Sequence, residues 1–165
     1  MKSEETNFEI PPPDDHPGVT IPPPFTAAFW LLAGLYLNEK LGLTMPGLPR
    51  LSDIIAIALI TVALGILLWA FLTFRHHKTT ILPHKHNTHL MTGGIFRYSR
   101  NPIYVAFVLA QLGIALGLNA PLALLAAPLT LAILYFTVVK KEEAYLTRRF
   151  GQDYLDYKMT TRRWI

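Results

Sequence analysis

Residues 54–74, IIAIALITVALGILLWAFLTF, are 21 consecutive positions without a charged side chain. At about 1.5 Å of rise per residue, such a run makes a helix that crosses a hydrocarbon core of about 30 Å. The segment is therefore read as a transmembrane helix. Two further apolar stretches, 102–118 and 120–139, are separated only by Asn119, so they are expected to fold back on each other as a tight helical hairpin. A first span is expected from Phe25; its clean apolar run stops at Leu37 and must continue through Asn38, Glu39 and Lys40 to Leu43 to reach full length. Composition agrees: 52% of residues are hydrophobic and 16% charged, against about a quarter charged in soluble domains. The expected fold is all-α, a polytopic membrane protein of about four transmembrane helices over 25–43, 53–74, 102–118 and 120–139. These follow a proline-rich arm over 1–24 and belong to one domain, 25–165, that ends in a surface helix over 140–158.

Orientation follows from lysine and arginine, because cytoplasmic loops carry their excess. With four spans, thirteen of these residues fall on one side, and only Lys40 and Arg50 on the other. Both termini are thus expected in the cytoplasm. The net charge of +4 is a topological signal rather than a nucleic-acid footprint, since no basic patch is interleaved with base-stacking aromatics. There is no cysteine, which removes disulfides, thiolate zinc sites and a cysteine nucleophile from consideration. The acidic, proline-rich start has neither the basic head nor the apolar stretch of a signal peptide and reads as an extended arm.

Chemistry is expected at one edge of this bundle. The long polar segment Arg75–Ser99 holds five of the six histidines and leads into G-G-I-F-R-Y-S-R-N-P-I-Y, residues 93–104. Asn101 suits a helix N-cap, with Pro102 at the first helical position, where its missing N–H costs nothing. Arg100 then lies at the positive end of the helix dipole. The fourth span passes without a glycine or proline break into Lys140, Lys141, Glu142 and Glu143, and a continuous helix carries both acids about one turn beyond the apolar stretch. Because the hairpin is antiparallel, Arg100 and Glu142 or Glu143 are expected to be neighbours. Leu146, Phe150 and Tyr154 then recur at the four-residue spacing of a surface helix, interrupted by Gly151. Other residues have plainer readings. Arg97 anchors the chain at the interface; Trp69, Tyr135 and Trp164 belong to aromatic belts; and Gly34, Gly65, Gly113 and Gly117 serve close helix packing. His84, His86 and His89 lack a nearby carboxylate or a rigid helical spacing, so no metal site is expected.

With these residues in view, the chain resembles the integral-membrane methyltransferases related to isoprenylcysteine carboxyl methyltransferase, with phospholipid N-methyltransferases as more distant relatives. The resemblance covers roughly residues 17–165. It includes Pro17-Gly18-Val19, Pro22-Pro23-Pro24, Thr79 through Pro83, Gly94 through Tyr104, Glu142-Glu143-Ala144-Tyr145-Leu146, Phe150-Gly151, Tyr154, Tyr157 and Arg163-Trp164. It implies methyl transfer from S-adenosyl-L-methionine in a pocket at the cytosolic edge of a bacterial cytoplasmic membrane. Arg100 and the N–H groups that open the Pro102 helix suit the cofactor carboxylate. Gly93 and Gly94 permit close approach to the adenosine, with Leu90, Tyr98 and Tyr104 as its walls and His84 as a further contact. Glu142 or Glu143 holds the ammonium or orients the nucleophile against Arg100; Arg100 and Glu143 are the candidate catalytic pair. Animal enzymes carry a histidine at the place of Asn101, so an acid-base role there is lost.

The implied transfer is an in-line displacement, in which alignment and exclusion of water contribute more than proton transfer. A hydrophobic or lipid-like acceptor with a carboxyl, amine or thiol group would enter from the lipid bilayer. No strand, glycine fingerprint and helix of the soluble methyltransferase architecture is present. Two other readings compete. A membrane reductase using NADPH, of the sterol-reductase type, shares the Arg100–Tyr104 segment but would be expected to carry more spans. A non-catalytic membrane scaffold is compatible with any hydrophobic bundle.

Overall fold

The computed structural model describes residues 17–46, 49–76 and 90–165, and among these every regular element is helical. In chain order they are α1 (Pro23–Leu41), α2 (Pro49–His76), a 3-10 turn (Gly94–Arg97), α3 (Pro102–Gly117), α4 (Pro121–Leu134), a π-helical turn (Tyr135–Val139), α5 (Lys140–Phe150) and α6 (Gln152–Thr160). Proline stands in the first turn of α1, α3 and α4, where its fixed φ favours the helix and its missing N–H is not needed. Gly42, at φ 60°, closes α1 by donating its N–H to the Asn38 and Glu39 carbonyls. Asn119, at φ 52°, turns the chain between α3 and α4, which gives the expected tight hairpin. Side by side, the helices run α2, α3, α4, α1.

Packing is the reverse of a soluble bundle. On α1, Phe25, Phe29, Leu32 and Tyr36 are exposed, whereas Ala27, Gly34 and Asn38 are buried. Along α2, Ala56, Ala63 and Ala70 are buried at seven-residue intervals, while Ile54, Ile57, Leu64, Leu68 and Phe71 face outward. Only 17% of the most apolar stretch of α2 is buried, so its large side chains face a medium as apolar as they are. Among the described residues two helices are long and apolar enough to cross a membrane, Arg50–Arg75 with 26 residues and Pro121–Phe150 with 30. Pro102–Gly117 is a shorter apolar helix, and α1 lies along α4. Small residues allow the contacts: a Cβ on Gly34 would stand 2.8 Å from the Ala123 Cα, and one on Gly113 would stand 2.7 Å from Ile60 Cγ1. Gly65 faces open space and Gly117 meets only an ordinary contact at 3.5 Å. Thus two of the four expected packing glycines serve that role.

Polar ties also join the helices: on α1, Asn38 Oδ1 accepts from the Leu122 N–H of α4 at 3.3 Å. The buried amide of Gln111 on α3 donates to the Ala27 carbonyl of α1 at 2.7 Å and to Thr130 Oγ1 of α4 at 2.9 Å. Away from water such bonds have no competitor.

Three local features differ from the sequence expectation. The surface helix 140–158 is two helices, because Gly151 at φ 52° breaks the chain between α5 and α6 and redirects α6. Part of the expected loop is a 3-10 turn whose Ile95 and Phe96 are buried beside Ala70. The last residues of the arm join the body: Val19 is buried against Leu134, Val138 and Tyr104, and Lys141 Nζ donates to the Gly18 carbonyl at 3.1 Å. Pro128 also lies inside α4, withholding the N–H that would bond the Leu124 carbonyl.

Candidate active site

At the end of the bundle where α3 begins, α4 continues through the π turn into α5. Tyr135 and Glu143 are eight residues apart, and at about 100° per residue a regular helix would set them about 80° out of phase. The π turn takes up about one residue more than an α turn, which brings the two close to one face. One guanidinium meets both. Arg163 Nε donates to Glu143 Oε1 at 2.8 Å and Arg163 Nη2 to Oε2 at 3.0 Å, while its guanidinium lies 5.0 Å from the centre of the Tyr135 ring.

From the opposite side Arg100 Nη1 approaches Glu143 Oε1 at 3.2 Å and the Tyr154 hydroxyl at 3.5 Å. Glu143 is therefore clasped between two arginines. Burial alone would raise its pKa, but the Arg163 hydrogen bonds and the charges of Arg100, Arg163 and Lys158 outweigh that and hold it below the usual carboxylate range.

The neighbouring acid is placed differently. Glu142 takes the Tyr104 hydroxyl on both oxygens, at 2.9 and 3.1 Å, and no cation pairs with it among the described residues. Burial pushes its carboxyl up to about 6, against the Tyr104 hydrogen bond and with help from the Glu143 charge. Successive acids thus have opposite electrostatics: one saturated by cations, one without.

α6 and the chain beyond it close the site by lying along residues 96–101. Tyr157 Oη donates to the Phe96 carbonyl at 2.6 Å, Thr161 Oγ1 to the Arg97 carbonyl at 3.4 Å and Arg100 N to the Arg162 carbonyl at 3.0 Å. Ser99 Oγ and Asn101 Nδ2 both donate to the Arg163 carbonyl, at 3.4 and 3.1 Å. Asn101 occupies the N-cap position of α3, but its side chain makes no cap bond. This corrects the expected side-chain cap: the amide turned toward the tail leaves the N-terminal N–H groups to other acceptors.

Of the residues singled out in the sequence, Arg100, Asn101, Pro102, Tyr104, Glu142 and Glu143 come together here. Pro102 is buried at the first position of α3. Gly94, at φ 57°, faces α2, where a Cβ would stand 2.5 Å from Thr73 Oγ1; its lack of a side chain serves that contact. Gly93 precedes the 3-10 turn in extended conformation, and Leu90 is half-buried at the start of the described segment. Tyr98 is 66% exposed and its ring packs on Trp69 of α2 at 5.9 Å, on the outside of the turn. His84 and Thr79–Pro83 lie outside the described residues. Sequence reasoning did not single out Arg163 or Tyr135 for the site. The signal for Arg163 was its place beside Trp164 in the resemblance; for Tyr135 there was none, because its partner arrives from the far side of Gly151.

Fold and site define a helical membrane protein with a polar, arginine- and acid-lined centre at one end of its bundle. Residues 51–153 match the sequence profile of the phospholipid methyltransferase family. The chain belongs to that family, whose members are membrane methyltransferases related to the isoprenylcysteine carboxyl methyltransferases. No curated protein and no solved structure matches it.

Proposed function

We propose that this membrane methyltransferase uses S-adenosyl-L-methionine and methylates a carboxyl, amine or thiol group of a hydrophobic or lipid-like acceptor at the cytosolic face of the membrane. The observation that carries the reading is the division of labour between the two acids and Arg100. The Nε hydrogen of Arg100 is buried and unpartnered, while Glu142, next in the chain to the Glu143 that Arg100 touches, has no cation paired with it among the described residues. An orphaned guanidinium donor suits a carboxylate, and an unpaired, half-buried carboxylate suits an ammonium. The amino-acid end of the cofactor presents both. These residues therefore fit the group: Arg100 and the free N–H groups at the start of α3 would hold the carboxylate, and Glu142, oriented by Tyr104, the ammonium.

When bound, the cofactor supplies an electrophilic methyl carbon on a sulfonium. Glu143 fixes Arg100, Tyr104 fixes Glu142, and Val19 with Leu134 and Val138 packs apolar surface against Tyr104, which excludes water from that side. Alignment of this kind is what an in-line displacement requires. The excess of lysine and arginine, thirteen against two, favours a cytosolic site with both termini on that side.

Calorimetric titration of the purified protein with S-adenosylhomocysteine tests the reading. Saturable binding is expected; a folded sample that does not bind would sink it. Transfer of a labelled methyl group into lipid extracts then identifies the acceptor.

A further inference from the structure

We propose that Arg163 is a positioning residue: by holding Glu143 from the tail, it sets Arg100 to receive the carboxylate of the methyl donor. The inference rests on the donor reading given above and adds to it a residue and a division of charge.

A lone acid beside a lone arginine settles into a bidentate pair, because the guanidinium fork matches the two carboxylate oxygens. That arrangement would use up Arg100. Here the bidentate partner of Glu143 is Arg163, at 2.8 and 3.0 Å, and Arg100 keeps only a single contact with the acid, at 3.2 Å. The Arg100 side chain is nevertheless only 9% exposed, and its Nε is buried without an acceptor. A buried charged donor without a partner is costly, so a free N–H there points to an anion that completes it. The formal charges agree: Arg100 and Arg163 against Glu143 leave one positive charge uncompensated within the triad.

Arg163 is braced independently of any ligand. Its carbonyl takes Ser99 Oγ and Asn101 Nδ2, the residues either side of Arg100, and its guanidinium rests on Tyr135. The tail thus grips both the backbone that carries Arg100 and the acid that Arg100 touches. Without the Arg163 side chain, Glu143 is free to take the Arg100 fork, and the anion donor is spent within the protein.

A pair of ligands separates this role from a merely structural one. S-Adenosylhomocysteine carries the carboxylate; 5′-methylthioadenosine keeps the adenosine and sulfur but has no amino-acid group. In Arg163→Gln, affinity for the first is expected to fall about tenfold or more, the scale of a lost charge-assisted contact, with affinity for the second unchanged. Arg163→Lys, which restores charge but not the fork, is expected to fall between wild type and Arg163→Gln, and it carries the test alone if the glutamine variant does not fold. Equal weakening of both ligands, or of neither, overturns the inference while the donor reading stands. Wild-type protein that binds neither ligand overturns both.

Discussion

The membrane body and the charged end of the bundle are held together by opposite means. In the body, helices approach through alanine and glycine: Ala56, Ala63 and Ala70 on α2, Ala106 and Gly113 on α3, Ala123, Ala126 and Ala127 on α4. Large side chains point outward, and the contacts are van der Waals, since apolar side chains gain nothing by leaving lipid for protein. At the charged end, five separate stretches meet: residues 96–104, Tyr135, the acid pair, α6 and the tail. Each contributes a specific donor, acceptor or ring. The body requires smallness at regular intervals and accepts many sequences; the end requires particular atoms. The separation predicts that substitutions at the end remove function before fold, and wedges in the body remove fold and function together.

The largest effect is expected at the clasp. Glu143→Ala leaves the half-buried Arg100 and Arg163 facing each other without the acid they share. Binding of S-adenosylhomocysteine and methyl transfer are both expected to fall about a hundredfold or more in Glu143→Ala and in Arg100→Ala. Helical content, followed by circular dichroism, should stay at the wild-type level. Wild-type turnover in both variants would break the assignment of function to this end.

Next in size is a wedge in the body. Gly113→Val places a Cβ 2.7 Å from Ile60 Cγ1 and 2.9 Å from the Ala56 carbonyl oxygen. A backbone atom does not yield as a side chain does, and overpacking of this kind costs about 1–3 kcal/mol. A lowered thermal midpoint is expected, with binding lost in proportion to the unfolded fraction. Loss of binding at an unchanged midpoint would show the two regions to be coupled.

A smaller effect follows from titration of the acids. Glu142 is pushed up to about 6, so between its ordinary value near 4.5 and about 6 the folded state holds more protons than the unfolded chain. Its contribution to stability therefore declines as pH rises through that window. Glu143, held below its ordinary value, works in the other direction: its contribution is complete above 4.5 and is lost as pH falls through the lowered value. If the Glu142 carboxylate holds the ammonium, affinity for S-adenosylhomocysteine should rise about tenfold from pH 5 to pH 7, as expected of a single group titrating midway between them. Glu142→Gln should flatten the profile. Tyr104→Phe removes the hydrogen bond that opposes the rise, so its midpoint should move upward. An unchanged profile in Glu142→Gln would assign the ammonium elsewhere.

What was legible in the sequence follows the same division. The apolar runs and the single Asn119 between two of them were sufficient for the hairpin, and the hairpin for the return of the acid pair to the level of Arg100. Level, however, is only rise along an axis. Which acid faces Arg100 depends on rotational phase, and the π turn, which no residue type in Tyr135–Val139 announces, shifts that phase just before the pair. The part played by Arg163 depends on Gly151: its positive φ was visible only as a weak point in a helix, whereas in the fold it redirects α6 and brings the tail beside residues 96–101. Tyr98 read as a pocket wall because it lies between Gly94 and Arg100; the 3-10 turn carries it to the outer face.

The smallest effect is the sharpest check on the body, because it tests one glycine against another with the same substitution. Gly65 lies in the middle of α2, and a Cβ there meets nothing within 4 Å. Gly117 would place a Cβ 3.5 Å from that of Ala56, an ordinary contact. Neither position has the positive φ that would make a side chain strained. Alanine gains over glycine by about 0.5–1 kcal/mol in a helix interior. Gly65→Ala is therefore expected to raise the thermal midpoint slightly, and Gly117→Ala, at the end of α3, to change it little. In Gly34→Ala the same methyl group meets the Ala123 Cα at 2.8 Å, so the helix-propensity gain is overtaken by displacement of α1 from α4 and the midpoint should fall. If all three variants shift the midpoint in the same direction, close approach is not what holds the body together, and the contrast with the charged end loses its physical basis.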